Sequence, residues 1–384
     1  MRVLFVISDL AFHGAQNQVA ELSRELARRG NDVAIYTLND DAPRAEGLRA
    51  AGVEVIVDQK RRKLDPAVLK RLRDKIRAWR ADVVHGFLYD GDIYARIAAV
   101  GTGARVFNSE RSQNYTLSRS QMGAHLLTRP LVDAVVANSR TGSAFAQKLY
   151  GYRPEQMHVV YNGLRVEDLE RRAVTEHDYR REFFGDEPVR ILCMVGHIKP
   201  AKDYPLALDT AAELIRRAPE WRALFIGDAL TQAMYQGGAD SDSSAYKRSV
   251  MEHYQGLGLA DKVKFIGARS DACAILAQCD VQLMTSVLEG FPNVVLEGMV
   301  LGVPVVSTEY SDIRSILPRP QQVVARRTAQ ALADAVIEAY LDRESIAAEQ
   351  KRWVRAHASI ENVTRELESV YSRYLRPNVR AQAA

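Results

Sequence analysis

Cysteine is scarce in this chain, which has only Cys193, Cys273 and Cys279 among 384 residues. Three cysteines at such irregular spacings are too few for a disulfide framework or a zinc site. The apolar run at residues 3–7 is followed by Asp9 and is too short for a secretory signal. No stretch approaches the ~20 uninterrupted apolar residues that a membrane-spanning helix requires. These absences predict a cytoplasmic protein, with any membrane contact peripheral.

The usual dinucleotide fingerprint is also missing. Gly14 follows the first apolar run in a glycine-containing turn, but no complete G-x-G-x-x-G pattern surrounds it. That pattern lets the backbone approach a pyrophosphate at a helix N-terminus. Its absence counts against a nicotinamide-dependent dehydrogenase.

Positive charge is concentrated in the first half of the chain. Residues 1–173 carry 27 Lys and Arg against 20 Asp and Glu, and residues 59–80 hold ten of these basic side chains. Apolar residues recur in the same segment at roughly helical spacing, as Leu64, Val68, Leu69, Leu72 and Ile76. Two interpretations stay open: a basic amphipathic helix at an anionic membrane, and a helix that packs on a sheet. No nucleic-acid partner is expected.

Apolar runs of strand length alternate with helical patterns throughout residues 1–172, beginning with the run at residues 3–7. This alternation predicts an α/β domain with a parallel sheet. The pattern lapses in the charged segment 167–188 and restarts at residues 191–195. We therefore predict a first domain over residues 1–172 and a second over residues 173–359. The C-terminal helix, at about residues 360–384, can pack back on the first domain.

The most informative segment is residues 289–297, with the sequence EGFPNVVLE. Its glycine and proline predict a turn after a strand, and Asn293 is a competent N-cap for the helix that follows. A helix N-terminus offers unpaired amides and the positive end of the helix dipole to an anion such as a diphosphate. Glu297, one turn inside the helix, can accept hydrogen bonds from ribose hydroxyls. The candidate donor-binding residues here are Glu289, Gly290, Phe291, Pro292, Asn293, Val294, Val295 and Glu297.

This segment resembles the E-x7-E motif of the family 4 glycosyltransferases, abbreviated GT4. Other stretches similar to that family occur in order along the chain: Phe12–Gln16, Asp82–His85, Val136–Ser139 and Val160–Gly163. The resemblance covers nearly the whole chain. It implies the GT-B fold, an α/β architecture of two Rossmann-like domains that face each other across a deep cleft. The first domain would bind the acceptor and the second the nucleotide sugar.

The resemblance also implies site residues outside the 289–297 segment. In the family, an Arg and a Lys after the first strand of the second domain bind the donor diphosphate. Here Lys202 matches the lysine, while His197 stands where the arginine is expected and lacks its guanidinium fork. Many relatives carry a histidine in the first domain where this chain has Arg111, which can bind an anionic acceptor or the donor phosphate. The resemblance thus assigns catalysis to Glu289 and Lys202, and substrate binding also to Gly14, His197 and Arg111.

The function implied is transfer of a sugar, with retention, from a nucleoside-diphosphate sugar to a hydroxyl of a glycan, lipid-linked or small-molecule acceptor. Such a hexosyltransferase would act in cell-envelope polysaccharide or glycoconjugate synthesis, with neither cofactor nor metal. Its location would be the cytoplasm or the inner face of the membrane, with the anionic surface met by residues 60–80. One alternative is a nucleotide-sugar epimerase of the same architecture, which would need acid and base side chains near the sugar. Another is a non-catalytic nucleotide-sugar-binding protein, which the change of arginine to His197 keeps open.

Overall fold

The computed structural model describes residues 1–111, 117–228 and 243–375, which form two compact units. The first unit comprises Met1–Arg165 together with the chain from His357 onward, and the second comprises Val166–Ala356. Each unit contains one wholly parallel sheet with helices around it. The prediction of two Rossmann-like α/β domains is therefore confirmed.

The first unit is built on a seven-stranded sheet of order β3-β2-β1-β4-β5-β6-β7. In β1, residues 3–7 are fully buried, because helices cover both faces of the parallel sheet. Phe5 of β1 lies beside Ile35 on one side and His85 on the other. The strands are β1 Arg2–Ile7, β2 Asp32–Thr37, β3 Glu54–Val57, β4 Val83–Gly86, β5 Arg105–Glu110, β6 Ala134–Ala137 and β7 Met157–Val159.

Among the residues that the structure describes, six helices lie between these strands, and a seventh comes from the C-terminal part of the chain. Apolar residues of the first, second and C-terminal helices belong to one buried cluster, those of the third and fourth to a second, and those of the sixth to a third. The helices are α1 Gly14–Arg28, α2 Ala45–Ala50, α3 Pro66–Trp79, α4 Leu88–Ala99, α5 Arg119–Thr128, α6 Arg140–Tyr150 and, at the end of the described chain, α16 Ile360–Tyr374.

The C-terminal helix α16 packs into the core of the first unit. Its buried face, which includes Val363, Leu367 and Tyr371, belongs to the same apolar cluster as β1. The Leu164 amide donates to the carbonyl of Ala358 at 2.8 Å and fixes the start of this helix. Residues 376–384, the end of the predicted helix, lie outside the described residues.

The second unit has a six-stranded parallel sheet of order β10-β9-β8-β11-β12-β13. Its central strands β8 and β11 are almost fully buried and lie side by side, with Leu192 opposite Val281. The strands are β8 Arg190–Val195, β9 Trp221–Ile226, β10 Val263–Phe265, β11 Val281–Met284, β12 Val305–Thr308 and β13 Val323–Val324. The helices are α7 Val166–Ala173, α8 Tyr179–Phe184, α9 Tyr204–Arg217, α10 Ser243–Gly256, α11 Ala272–Ala277, α12 Asn293–Leu301, α13 Ile313–Ile316, α14 Ala329–Leu341 and α15 Arg343–His357.

The boundary between the units differs from the predicted one. The charged segment 167–188, interpreted as a linker, contains most of α7 and all of α8, and both belong to the second unit. Helix α7 contacts α11 and α12, with Val166 and Leu169 buried. The charged side chains that suggested a linker lie outside the buried face of α7, which Val166 and Leu169 form. The first unit therefore ends at Arg165 rather than at residue 172.

Helix α3 uses its apolar face inside the first unit. Val68, Leu72 and Ile76 are buried in a core cluster with residues of β1, β2 and β4. The helix begins at Pro66, where the Asp65 carboxylate accepts the Ala67 amide at 3.0 Å as an N-cap. The interpretation of residues 60–80 as one membrane-binding amphipathic helix is therefore wrong for its apolar face.

Several basic side chains of this segment also have acidic partners. The ion pairs are Lys60–Asp90, Lys70–Asp74, Arg71–Asp58 and Lys75–Glu54. In contrast, residues 61–64, with the sequence Arg-Arg-Lys-Leu, are all exposed in the loop between β3 and α3. We call residues 61–64 the basic loop.

Within residues 1–111, 117–228 and 243–375, no helix combines the length and the apolar character needed to cross a membrane.

Candidate functional site

The segment that carries Glu289 and Glu297 follows β11 and leads into α12. Glu289 lies in the turn before the helix, and Glu297 lies on the helix itself. Asn293 is the first helical residue, whereas Pro292 occupies the cap position without a side-chain hydrogen bond. The prediction that Asn293 caps this helix is therefore wrong, because the turn places its backbone already in the helix.

Some of the amides expected to meet an anion are engaged within the turn. The Asn293 amide donates to the carbonyl of Phe291 at 3.1 Å, and the Val295 amide donates to the carbonyl of Pro292 at 3.0 Å. In this structure these two amides bind backbone oxygen, so they could meet a phosphate only if the turn changes. This differs from the expectation that the whole run from Gly290 to Val295 presents free amides.

Lys202 and Glu289 form an ion pair in the second unit. The Nζ atom of Lys202 lies 2.8 Å from Oε1 of Glu289, and their side chains are 9% and 15% exposed. Lys202 ends a short 3-10 turn, Pro200–Lys202, after β8. The two residues that the resemblance assigned to catalysis are thus in direct contact.

Hydrogen bonds join the two segments that carry this pair. The Thr285 hydroxyl donates to the carbonyl of Lys202 at 2.8 Å and lies 3.0 Å from the carbonyl of Asp203. The Val287 amide donates to the carbonyl of Ala201 at 2.8 Å. Because one side-chain hydroxyl and one backbone amide make these bonds to backbone carbonyls, the segment after β8 is held against the segment after β11.

A close approach below α12 sets the position of this helix on the sheet. Gln282 of β11 is buried, and its Nε2 donates to the carbonyl of Val294 at 3.0 Å. A Cβ atom at Gly298 would lie only 1.8 Å from the Gln282 Oε1 atom. Glycine at position 298 therefore lets the helix that bears Glu297 pack directly over Gln282.

Glu297 has an unusual ionisation for a glutamate. Its surroundings raise its pKa to about 7, chiefly because burial disfavours the charged carboxylate. Nearby Arg172 and, more weakly, Lys202 oppose that rise. Arg172 lies on α7, and sequence reasoning missed it because it assigned that segment to a linker.

His197 follows β8 in the same unit and is exposed. Its Nδ1 atom lies 3.4 Å from the backbone oxygen of Asp228, beyond the end of β9. The neighbouring backbones approach closely, since a Cβ at Gly227 would lie 2.0 Å from the oxygen of Gly196. His197 is therefore at the carboxyl edge of the sheet, where parallel α/β folds bind ligands.

Gly14 and Arg111 belong to the first unit. Gly14 is the exposed first residue of α1, whose cap residue His13 makes no side-chain capping bond. Before it, the buried Asp9 carboxylate accepts Gln16 Nε2 at 2.8 Å and the Ala11 amide at 3.2 Å. These bonds fix the turn between β1 and α1.

Arg111 follows β5 and is held by several contacts. Its guanidinium donates to Asn162 Oδ1 at 2.9 Å and to Ser109 Oγ at 3.3 Å, and lies 4.8 Å from the Phe87 ring centroid. Ser109 Oγ is also 2.9 Å from Nε2 of the buried His85. The orientation of Arg111 is thus set by polar and aromatic partners.

His85 connects this arginine to the C-terminal helix. Its Nδ1 atom is 2.6 Å from the hydroxyl of Tyr371 on α16. Burial, helped by the charge of Arg111, holds the pKa of His85 well below its usual range, so the ring is neutral. A neutral imidazole with both nitrogens in hydrogen bonds has a structural role in the first unit.

The described part of the chain contains no group of three or more His, Cys, Asp or Glu side chains placed to hold a metal ion.

Comparisons with known proteins agree with this division of the chain. Residues 12–168 match the family described as Glycosyltransferase Family 4, and residues 176–357 match the family described as Glycosyl transferases group 1. The Anabaena HepE crystal structure in complex with UDP superimposes with a TM-score of 0.81 at 18% identity, covering 97% of this chain and 100% of that one. At this identity the likeness concerns the fold alone.

Two curated relatives match part of the sequence. A region of 178 residues is 30% identical to D-inositol 3-phosphate glycosyltransferase 2 of Catenulispora acidiphila and covers 46% of this chain and 40% of that protein. A region of 156 residues is 28% identical to the Vi polysaccharide biosynthesis protein VipC/TviE of Salmonella typhi, covering 40% and 24%. These matches span less than half the length of either relative. The two family matches together run through most of the chain, which therefore belongs to the family 4 and group 1 glycosyltransferases.

Proposed function

We propose that the protein transfers a sugar from a nucleoside-diphosphate sugar to an acceptor hydroxyl, with retention at the anomeric carbon. The observation that carries the proposal is the contact between Lys202 and Glu289 at the carboxyl edge of the second sheet. One residue can stabilise a diphosphate, and the other can bind sugar hydroxyls. Ligands of parallel α/β sheets bind at this edge.

In the proposed reaction the bond between the anomeric carbon and the diphosphate oxygen breaks as the acceptor oxygen bonds to the same face of that carbon. The acceptor proton passes to the departing diphosphate. The ammonium of Lys202 stabilises the negative charge that develops there, helped by His197 and the N-terminus of α12. We propose that this cationic environment replaces a metal ion.

The two glutamates have different proposed roles. Glu289 is paired with Lys202 before the donor arrives, so donor binding exchanges part of that ion pair for contacts with phosphate and sugar hydroxyls. Glu297 would accept hydrogen bonds from the ribose. Loss of Glu289 should therefore abolish transfer, whereas loss of Glu297 should mainly weaken donor binding.

We propose that the first unit binds the acceptor and that Arg111 contacts an anionic group on it. The contacts of Arg111 with Asn162, Ser109 and Phe87 orient its guanidinium, which suits recognition of a phosphate or carboxylate. The two curated relatives are named for a phosphorylated inositol acceptor and for a polysaccharide. We infer a glycan or lipid-linked acceptor in cell-envelope polysaccharide or glycoconjugate synthesis.

A cytoplasmic enzyme with a lipid-linked acceptor would work at the inner membrane surface. We assign that contact to the basic loop, because residues 61–64 expose three positive charges and Leu64, which is 48% exposed. Basic side chains near an anionic membrane contribute about 1 kcal/mol each. The apolar face of α3 takes no part, since the first unit buries it.

Calorimetry with UDP, GDP and ADP, followed by transfer assays with the matching sugar nucleotides, tests the proposal. We expect one nucleoside diphosphate to bind the wild type and its sugar to reach an acceptor with retained anomeric configuration. Conversion of the donor to its epimer without acceptor would instead identify an epimerase. Tight donor binding without transfer to any acceptor in a glycan and lipid panel would identify a binding protein.

A further inference from the structure

Arg327 joins the two segments that carry the Lys202–Glu289 pair. It lies between β13 and α14, immediately before Thr328, the N-cap of α14. One guanidinium nitrogen donates to Asp203 Oδ2 at 2.6 Å and to the Thr285 carbonyl at 2.8 Å, and the other donates to the Ser286 carbonyl at 2.9 Å. The Arg327 side chain thus binds three acceptors, one in the segment after β8 and two in the segment after β11.

The positions of these acceptors are significant. Asp203 is the neighbour of Lys202 in sequence, and Ser286 lies three residues before Glu289 in the same turn, where its hydroxyl is 3.4 Å from the Glu289 carboxylate. The Ser286 carbonyl also accepts the Thr308 hydroxyl at 2.7 Å. Displacement of the Arg327 guanidinium would therefore break hydrogen bonds to residues that adjoin both Lys202 and Glu289.

Asp203 is a position where the backbone needs support. Its φ is 49°, in the left-handed region, where a residue other than glycine is strained. Its carboxylate caps α9 by accepting the Leu206 amide at 3.4 Å, and Arg327 binds the other carboxylate oxygen. This carboxylate would repel a diphosphate bound at the adjacent Lys202, and the guanidinium charge offsets that repulsion.

We propose that Arg327 is a positioning residue for donor-diphosphate binding, holding Lys202 and Glu289 in register through Asp203 and the carbonyls of Thr285 and Ser286. This inference rests on the proposed donor site. A guanidinium suits the task because its fixed fork reaches several acceptors at once, whereas a lysine ammonium is a single point of charge. Arg327 contacts no proposed substrate group and acts through its neighbours.

A double-mutant cycle tests this inference. Nucleoside diphosphate and monophosphate affinities are measured for R327Q, D203N and R327Q/D203N, with UDP, GDP or ADP, whichever binds the wild type best. Asparagine at position 203 retains a capping side chain and removes the charge. The matched control is R216Q, since Arg216 is an exposed arginine of α9 paired only within its own helix, to Glu213, among the described residues.

We expect R327Q to lose about 10-fold or more of its diphosphate affinity, a loss of the size found when a residue that orients a metal ligand is removed. The monophosphate affinity should change less, and R216Q should match the wild type. The double variant should bind no more weakly than the poorer single variant, because both substitutions break the same Arg327–Asp203 ion pair.

Wild-type-like diphosphate binding by R327Q, or strictly additive losses in the double variant, would overturn the inference while leaving the proposed function intact. A wild type that binds none of the three diphosphates contradicts the proposed function, and the inference falls with it. If R327Q does not fold, R327K and R327K/D203N decide the matter by the same criteria, since the lysine retains the charge without the fork.

Discussion

Lys202 Nζ lies 2.8 Å from Glu289 Oε1, so two residues from separate strand ends form a largely buried ion pair before any donor binds. A buried charge is costly without its partner, and removing one member is more disruptive than replacing both. The pair therefore links the stability of the second unit to the chemistry proposed for it.

Breaking this pair should destabilise the protein, and replacing both members should restore much of the loss. Lys202→Met or Glu289→Leu alone should lower the free energy of unfolding by ~3 kcal/mol, as expected when a buried charge loses its partner. The double variant K202M/E289L should be more stable than either single variant and remain inactive. Urea unfolding with parallel transfer assays measures both. A double variant as unstable as the sum of the singles would contradict the coupling.

Glu297 should make donor binding depend on pH near neutrality. Its pKa of about 7 means that the carboxylate forms as the pH rises from 6 to 8, and the ionised form accepts ribose hydrogen bonds more strongly. The affinity for the intact sugar nucleotide should therefore rise over this range. Glu297→Gln should bind more weakly at pH 8 and show a flatter profile in calorimetry.

Ionisation of Glu297 should lower the folding stability of the ligand-free protein, although it raises the affinity for the donor. Because the pKa of Glu297 in the folded state lies above its ordinary value, stability is retained below that ordinary value and lost as the pH rises through about 7. E297Q should thus unfold at higher urea than the wild type at pH 8, with little difference at pH 4.5. An equal difference at both pH values would exclude ionisation as the cause.

Asp92 should reduce the stability of the first unit at alkaline pH. Burial raises the pKa of this carboxyl to about 8, against the opposing charge of Arg96. Because this pKa is raised in the folded state, the stability that protonated Asp92 contributes is present below the ordinary pKa of an aspartate and is lost as the pH rises through about 8. Asp92→Asn should be more stable than the wild type at pH 8.5, with the advantage shrinking towards pH 4. Asp74→Asn, which removes an exposed carboxylate of α3, is the control in the same urea titrations.

A methyl group at position 298 should displace α12 from the sheet. Gly298→Ala places a Cβ against Gln282 Oε1 and should cost about 1–3 kcal/mol, the usual range for overpacking a core. Donor affinity should fall in parallel, because Glu297 moves with the helix. The control is Gly256→Ala at the end of α10, where no atom beyond the adjacent residues and the local helix backbone lies within 4 Å of the added Cβ. Thermal unfolding and calorimetry compare the two variants. A G298A protein with wild-type stability and donor affinity would contradict a packing role for Gly298.

The basic loop should govern any attachment to anionic vesicles. R61Q/R62Q/K63Q removes three exposed charges and should lower partitioning to phosphatidylserine vesicles about 100-fold, from ~1 kcal/mol for each charge. K70Q/K75Q/R77Q removes the same charge from α3, where two of the three side chains are ion-paired, and should change it less. Vesicle sedimentation at two salt concentrations is the measurement. Equal losses in both triples, or equal binding to neutral vesicles, would contradict a specific role of the loop.

The alternation of apolar runs and helical patterns was enough to predict two parallel α/β domains. Buried strands of parallel sheets are apolar along their whole length, and residues 3–7 and 191–195 show this directly in the sequence. The segment 289–297 likewise indicated a turn followed by a helix. The N-cap was wrongly assigned to Asn293, because the helix begins one residue earlier than predicted and Pro292 occupies the cap position. The cap is defined by backbone angles, which the residue type alone does not specify.

The sequence by itself determined the apolar strands of the two sheets, the fold class and the family resemblance, because periodicity and short motifs are local properties of the chain. Only the tertiary structure decided which distant segments cover one another. It placed α7 and Arg172 in the second unit, buried the apolar face of α3 in the first, and joined Lys202 to Glu289. An amphipathic pattern specifies that a face needs a partner, whereas the identity of that partner depends on packing between segments far apart in sequence.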